Sequence, residues 1–288
     1  MKYPGLFHSA DEASNRAQRH FLRLVRFEYF LLFVCAVFAL GLSDHRGYYL
    51  AYTLAFLASM GAMILRSMQK PEQTWYRSRA LAESVKTMTW RFAMRAVPFD
   101  DAKSADARAD FRTLLQGVLE TNKEVASVFD RSNSNAEQLP NEVQTTREFS
   151  LADRKRIYLN ERVEEQRKWY HDKSESNRRA AKLWFTASIA AYVVGFFFIL
   201  VRVFDPAVMG WPTEPFLIIA ASIVGWTQIK KFNELAAAYS LTAQEIGLAE
   251  IPIRDAQTNG AFSAAVNEAE LVFSREHTQW SARQHQGA

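Results

Sequence analysis

Two stretches of this chain interleave cations with aromatic rings closely enough to hold a phosphate or a stacked base. Lys86, Trp90, Arg91 and Arg95 fall in one stretch, which begins with Trp75, Tyr76, Arg77 and Arg79. Arg167, Lys168, Trp169 and Tyr170 form the other, followed by Lys173, Arg178, Arg179 and Lys182. Cations beside aromatic faces suit polyanions whose bases stack, so a nucleotide or a single-stranded oligonucleotide is one ligand class. Lipid headgroups are the other, because Trp, Tyr, Arg and Lys also collect where a helix leaves a membrane. Residues within a turn or two of an apolar run favour lipid. Arg91, Arg95, Arg167 and Lys168 lie further out, and there both readings stay open.

Catalytic chemistry finds little support. The six histidines (His8, His20, His45, His171, His277 and His285) never stand in an H-x-x-x-H or H-x-x-E pattern, which argues against a metal site. Glu164 and Glu165 are adjacent, so on a helix they point in different directions and cannot pair as acid and base. There is no G-x-G-x-x-G, no G-x-x-x-x-G-K and no serine nucleophile elbow. Cys35 is the single cysteine, which excludes an intrachain disulfide and makes a cysteine-based metal site a poor fit. The expectation is a protein that is not an enzyme, with no metal and no cofactor.

The elements that must position these residues are dominated by four uncharged apolar runs, at Tyr29–Ser43, Gly47–Leu65, Leu183–Val201 and Pro215–Ile229. The second and third hold 19 residues each, enough for a helix to cover about 30 Å of hydrocarbon. The first and fourth hold 15 each, and flanking Arg26, Lys230 and Lys231 can snorkel to the interface. A soluble protein with four core helices is the alternative. Each run, however, is apolar around its whole circumference rather than along one stripe.

Cations crowd one side of the runs: Arg16, Arg19, Arg23 and Arg26, then Arg66, Lys70, Arg77 and Arg79, then six between Arg167 and Lys182, then Lys230 and Lys231. The other side has Arg46 and Arg202. The positive-inside rule then places both termini and the long middle segment in the cytosol. Residues 1–26 are polar and charged, so no cleavable signal is expected. The predicted fold is an all-α integral membrane protein, with four transmembrane helices as two hairpins and a cytosolic helical layer.

No span contains an internal charge, which argues against a proton relay or ion-coupled transport. Small residues recur in register instead. Ala51, Ala55, Ala58 and Ala62 line the second span beside Ser59. Ser188, Ala191 and Gly195 line the third, and Ala221, Ser222 and Gly225 the fourth. Such stripes let helices approach closely. They serve either packing within one copy or assembly of several copies around a narrow uncharged pore that gates by dewetting.

The halves look alike: Ser14-Asn15-Arg16 precedes the first hairpin and Ser176-Asn177-Arg178 the second. Domains are expected at 1–130, with hairpin 29–65, and at 151–288, with hairpin 183–229. The polar, aperiodic stretch 131–150 reads as a linker. Trp75–Val97 is predicted as an amphipathic helix closed by Pro98, and Phe111–Phe129 as further helix with one apolar face. Ser150 and Asp153 form a capping box, and the helix starting at Leu151 should continue unbroken into the third span. Phe232–Ala249 reads as an exit helix interrupted near Pro252, and Ala261–Gln284 as the last helix.

Gln166-x-x-Trp169-Tyr170 with Lys173 and Asn177, a hairpin, and then Arg275-Glu276-His277-x-x-Trp280-x-x-Arg283 resemble the SLATT family. These are the two-transmembrane effector domains associated with SMODS nucleotidyltransferases and SLOG sensors. Tyr3-Pro4-Gly5-Leu6-Phe7, Ala10-Asp11 and the stretch from Trp75 to Phe92 resemble another branch of it. The resemblance covers nearly the whole chain as a tandem pair, and the family has no catalytic set. It implies a bacterial inner-membrane effector in anti-phage defence, working with a genetically linked nucleotidyltransferase whose product signals to it. A homo-oligomeric channel, a tetramer first, is the leading expectation; a non-conducting scaffold is the alternative, with a transporter more distant. Expected partners are thus membrane lipids, further copies of the chain, the nucleotide signal and the enzyme that makes it.

Overall fold

The computed structural model describes residues 1–100, 104–129, 135–206 and 210–285, and the side chains of 104 and 275–285 lie outside that description. Among the described residues every regular element is a helix. In chain order they are α1 (Gly5–Phe38), α2 (Arg46–Gln69), α3 (Pro71–Ala93), α4 (Ser104–Thr121), α5 (Lys123–Ala126) and α6 (Asn141–Glu148). They continue with α7 (Leu151–Tyr158), α8 (Glu165–Phe204), α9 (Thr213–Lys230), α10 (Phe232–Asp255) and α11 (Asn259–His285). A π-helical turn, Leu159–Glu164, joins α7 to α8.

The helix expected from Leu151 is continuous to Phe204. Its 54 residues span about 80 Å at 1.5 Å each. Its start is capped as the sequence indicates. Ser150 Oγ accepts the Asp153 amide at 3.2 Å, and the Asp153 carboxylate takes the serine hydroxyl at 2.7 Å. Two other expectations change. The stretch read as linker contains α6, whose Val143, Thr146 and Arg147 are buried. Pro252 does not interrupt its helix but sits in the last turn of α10, which ends at Asp255.

The chain divides into two compact units, and each draws on both sequence halves. One comprises Met1–Gln18, Glu72–Lys173 and Ala238–Ala288; the other comprises Arg19–Pro71 and Ser174–Ala237. The first has a continuous core, in which Leu81, Val85, Trp90, Phe92, Phe99 and Phe111 meet Tyr158, Ile246, Phe262 and Val266.

The second unit holds the apolar runs. Two helical stretches are long and apolar enough to cross a membrane, Arg46–Ala93 and Leu151–Phe204, and only 11% of each apolar window is buried. The core helix of a soluble protein would hide such a surface. Here Leu54, Phe56, Leu57, Val193, Phe196 and Phe197 face outward. The first run is shorter as a helix than as a sequence. Helix α1 stops at Phe38, and Gly41, at φ 67, turns the chain with its amide on the Phe38 carbonyl. Tyr48 Oη donates to the same carbonyl at 2.6 Å.

Both α2 and α9 end on a lysine in the left-handed conformation, Lys70 at φ 43 and Lys231 at φ 48. That region costs a non-glycine residue about 1–2 kcal/mol. Its recurrence at corresponding places is a conformational signature of the repeat. A helix then leaves each: α3 after Lys70, α10 after Lys231.

The small-residue stripes pack largely inside this unit. Ser59, Ala62, Ala191 and Gly195 are buried, Ala51, Ala55, Ser188, Ser222 and Gly225 are half-buried, and Ala58 and Ala221 face outward. At Gly225 a Cβ would lie 2.4 Å from Tyr29 Oη, whereas at Gly61 it would meet nothing within 4 Å. Gly225→Ala should therefore push the tip of Tyr29 aside and be the less stable of the two variants, and Gly61→Ala should be neutral or slightly stabilising. Thermal unfolding in detergent reads both; equal midpoints for the two variants would contradict this packing.

Candidate functional site

In the first unit, a carboxylate on the last helix organises the polar interior. Glu270 is fully buried on the apolar face of α11, between Val266 and Phe273. Arg162, from the π-helical turn, grips it with two parallel bonds, Nε to Oε1 at 2.9 Å and Nη2 to Oε2 at 2.7 Å. Tyr158, one turn earlier, donates its hydroxyl to Oε1 at 2.9 Å. A charge removed from water must be neutralised and hydrogen-bonded on the spot, and this fork does both. Burial works against the Arg162 charge, but Glu270 outweighs it and holds the guanidinium above its ordinary range. Burial and then the Glu270 charge push the Tyr158 hydroxyl well up, so it stays a proton donor.

Further cations share this field. Burial and the nearby Arg162 charge pull the half-buried Lys86 amine down, with Glu83 and Glu270 acting the other way. Burial also lowers Arg91, which Glu270 and Tyr158 partly offset. Lys86 Nζ lies 5.9 Å from the centre of the Tyr3 ring. Among the described residues neither Lys86 nor Arg91 makes an ion pair. Arg91 Nε and Arg162 Nη1 are buried without a hydrogen-bond partner there. Three cations thus gather about one buried carboxylate, and two of them keep an unsatisfied donor.

A second arginine group, of which the sequence reading named only Arg95, caps the C-terminal end of α3. Arg147 Nη1 donates to the Phe92 carbonyl at 2.8 Å, and Arg154 Nη1 to the Met94 carbonyl at 2.5 Å. Arg95, at φ 52, turns the chain, and its Nε donates to the Arg147 carbonyl at 2.8 Å. Burial, then the Arg95 and Arg147 charges, lower Arg154 to about 10. These guanidiniums answer the carbonyls that a helix end leaves without partners. Arg95 is therefore committed to backbone rather than offered to a ligand.

The other expected ligand residues separate by burial. Trp90 is 1% exposed, and its Nε1 donates to Tyr3 Oη at 3.1 Å. Tyr170 is also buried, packed with Trp169 and Tyr239. Both are core residues and cannot offer a face to a base, which corrects the stacking role expected for them. The helical periodicity that puts cations near them also puts the rings inward. Trp169 is half-buried, with Lys173 Nζ 5.7 Å from its ring centre. Arg167 is exposed and paired with Glu250 at 3.1 Å, and Lys168 is exposed. Of the expected set, Lys86 and Arg91 lie in the field of Glu270, and the buried Trp90 ring packs against Tyr158 beside them.

Sequence reasoning missed Glu270, Arg162 and Tyr158. The signal was present: a lone acid on an otherwise apolar helical stripe, and Arg154, Tyr158 and Arg162 stepping by four. No group of histidine, cysteine or carboxylate side chains able to hold a metal occurs among the described residues.

Residues 4–155 match SMODS and SLOG-associating 2TM effector domain 3, and residues 158–280 match SMODS and SLOG-associating 2TM effector domain 1. The chain belongs to the SLATT family. It carries two such domains in tandem, and the junction falls inside the continuous helix, between Lys155 and Tyr158 of α7. SLATT domains are membrane effector domains associated with defence systems rather than known enzymes. The family is associated with partner nucleotidyltransferase systems in general. Neither the curated proteins nor the solved structures offer a match. The tail motif Arg275–Arg283 that contributed to the resemblance lies outside the described side chains.

Removing Arg162 alone would leave Glu270 charged and buried. Arg162→Met should cost about 3–5 kcal/mol, and Arg162→Met with Glu270→Leu should recover most of it. Chemical unfolding measures both, and a double variant no better than the single one would contradict the paired arrangement.

Lys86 carries the opposite sign. Its folded proton affinity is lowered, so the unfolded chain binds more protons between the folded and ordinary lysine ranges, and stability rises with pH there. Lys86→Met should raise the unfolding midpoint at neutral pH, with an advantage that shrinks as pH climbs toward the ordinary lysine range. A constant advantage would show that the charge is not what burial penalises.

Proposed function

We propose that this SLATT protein is a four-span effector of the bacterial inner membrane, a channel under the control of a nucleotide or oligonucleotide signal. Two tandem two-transmembrane modules support four spans, with α1 and α9 as the shorter members of each hairpin. The cation excess along the flanks supports cytosolic termini. Four uncharged helices cannot enclose a water path alone. Outward-facing small residues such as Ala58 and Ala221 support assembly of several copies, with a tetramer as the first expectation.

The observation that carries ligand control is the surplus of cations around Glu270. Lys86 and Arg91 are lowered in proton affinity by burial and lack a paired acid among the described residues, an arrangement that an added polyanion relieves. A ligand shifts gating only by the difference between its affinities for the two states. Charge-assisted contacts of about 1.5–3 kcal/mol each, at two or three cations, supply the roughly 5.5 kcal/mol that reverses a 1:99 equilibrium. The continuous helix Leu151–Phe204 is the element through which such a bias would travel. Arg167 and Lys168, exposed near the start of α8, are secondary contacts for the same ligand.

The test is expression of the chain alone and beside its neighbouring nucleotidyltransferase, with membrane potential followed by a dye. The partner should switch depolarisation in one direction. Lys86→Gln with Arg91→Gln should remove that dependence while the protein still inserts. Absence of depolarisation in every combination would favour the second reading, a non-conducting scaffold that recruits a cytosolic partner.

A further inference from the structure

In the second unit, an open crevice of about 520 Å3 lies between α1, α9 and the start of the α8 apolar run. Its walls come from matched helical faces. Arg26, Tyr29, Phe30 and Phe33 step along α1, and Ile219, Ser222, Ile223 and Trp226 step along α9, both at i, i+3, i+4, i+7. The two faces have their polar ends together. The Arg26 guanidinium lies 5.3 Å from the centre of the Trp226 ring, and Lys230 Nζ lies 5.7 Å from it. Phe33 and Ile219 are two turns further along, where the walls are wholly apolar. The site therefore has the shape of an amphiphile, with cations at one end and hydrocarbon at the other.

Its head end has unused capacity. Trp226 Nε1 is buried without a hydrogen-bond partner, and Arg26 makes no ion pair among the described residues. Among the described residues no carboxylate lines the crevice. The Tyr29 hydroxyl reaches over Gly225, where any side chain would collide with it. A neutral alkyl ligand would leave the indole N–H unanswered, and a free nucleotide would find too few polar groups along the walls. A phosphate at the rim with one acyl chain running inward satisfies both ends.

We propose that this crevice binds one anionic phospholipid from the cytosolic leaflet, with its phosphate on Arg26 and the Trp226 indole, beside Lys230, and one acyl chain between α1 and α9. The proposal rests on the four-span reading above, which places α1 and α9 in the bilayer. An anionic lipid bound there ties the first helix of one hairpin to the second helix of the other, and so links occupancy to how the hairpins pack.

The 288-residue chain, shown first by carbonate extraction to be membrane-integral, would be titrated in mild detergent with phosphatidylglycerol or phosphatidylcholine and read by native mass spectrometry. One phosphatidylglycerol should be retained in preference to phosphatidylcholine. Arg26→Gln should weaken it about tenfold, equivalent to about 1.4 kcal/mol, while Lys182→Gln, an exposed cation elsewhere, leaves it unchanged. Ile223→Trp, which fills the crevice, should remove it without altering Arg26. Equal retention of both lipids, or equal loss in Arg26→Gln and Lys182→Gln, would overturn the site; so would displacement of the lipid by inorganic phosphate alone. Failure to integrate would instead overturn the four-span reading.

Discussion

A helix that turns apolar side chains outward on every side must satisfy its backbone internally, and it must leave every strong charge beyond its ends. Hydrocarbon offers no hydrogen bonds, so irregular backbone and unpaired charge cannot be exposed to it. That constraint explains the division of labour in this SLATT protein. The unit Arg19–Pro71 with Ser174–Ala237 holds the uncharged runs. Some of its charges pair at the margins, as Arg66 does with Glu28 at 3.1 Å and Arg202 with Glu214 at 3.4 Å. The polar interior that could respond to a ligand is left to the other unit.

There the same electrostatic cost is handled differently. Glu270 is taken out of water, so Arg162 and Tyr158 must meet it, and their i, i+4 spacing lets one helical face supply both. Such a pair gives little net stability against an apolar replacement. Its three bonds tie α11 to Tyr158 of α7 and to Arg162 of the π-helical turn. The nearby lysine and arginine raise the positive potential further, a strain that a core built only for stability would avoid. Burial lowers the proton affinity of both Lys86 and Arg91, and Glu270 offsets that only in part.

Much of the architecture was legible because it depends on local pattern. The uncharged runs, the Ser150 cap and the long helix from Leu151 follow from side-chain chemistry read in order. The family emerged from short motifs such as Gln166-x-x-Trp169-Tyr170. The site was less legible, since cation and aromatic positions do not reveal which face turns inward. Trp90 and Tyr170 proved to be core. Helix α6 was hidden because its buried face uses Arg147, bonded to the Phe92 carbonyl, in place of an apolar stripe. The left-handed Lys70 and Lys231 carry no sequence mark, since glycine or asparagine is the usual residue there. Glu270 was readable only as an exception to a pattern, and its meaning needed the helix it faces.

The central claim is that two hairpins cross the membrane, with the helical unit on the cytosolic side. Cysteine accessibility tests it most directly. In a Cys35→Ala background, single cysteines would replace Asp44, Asp205 and Glu120 in turn, and intact spheroplasts would be treated with a membrane-impermeant maleimide. Labelling at 44 and 205, with 120 reacting only after permeabilisation, is the predicted result. Labelling at 120 in intact spheroplasts, or protection of either turn, would contradict the account.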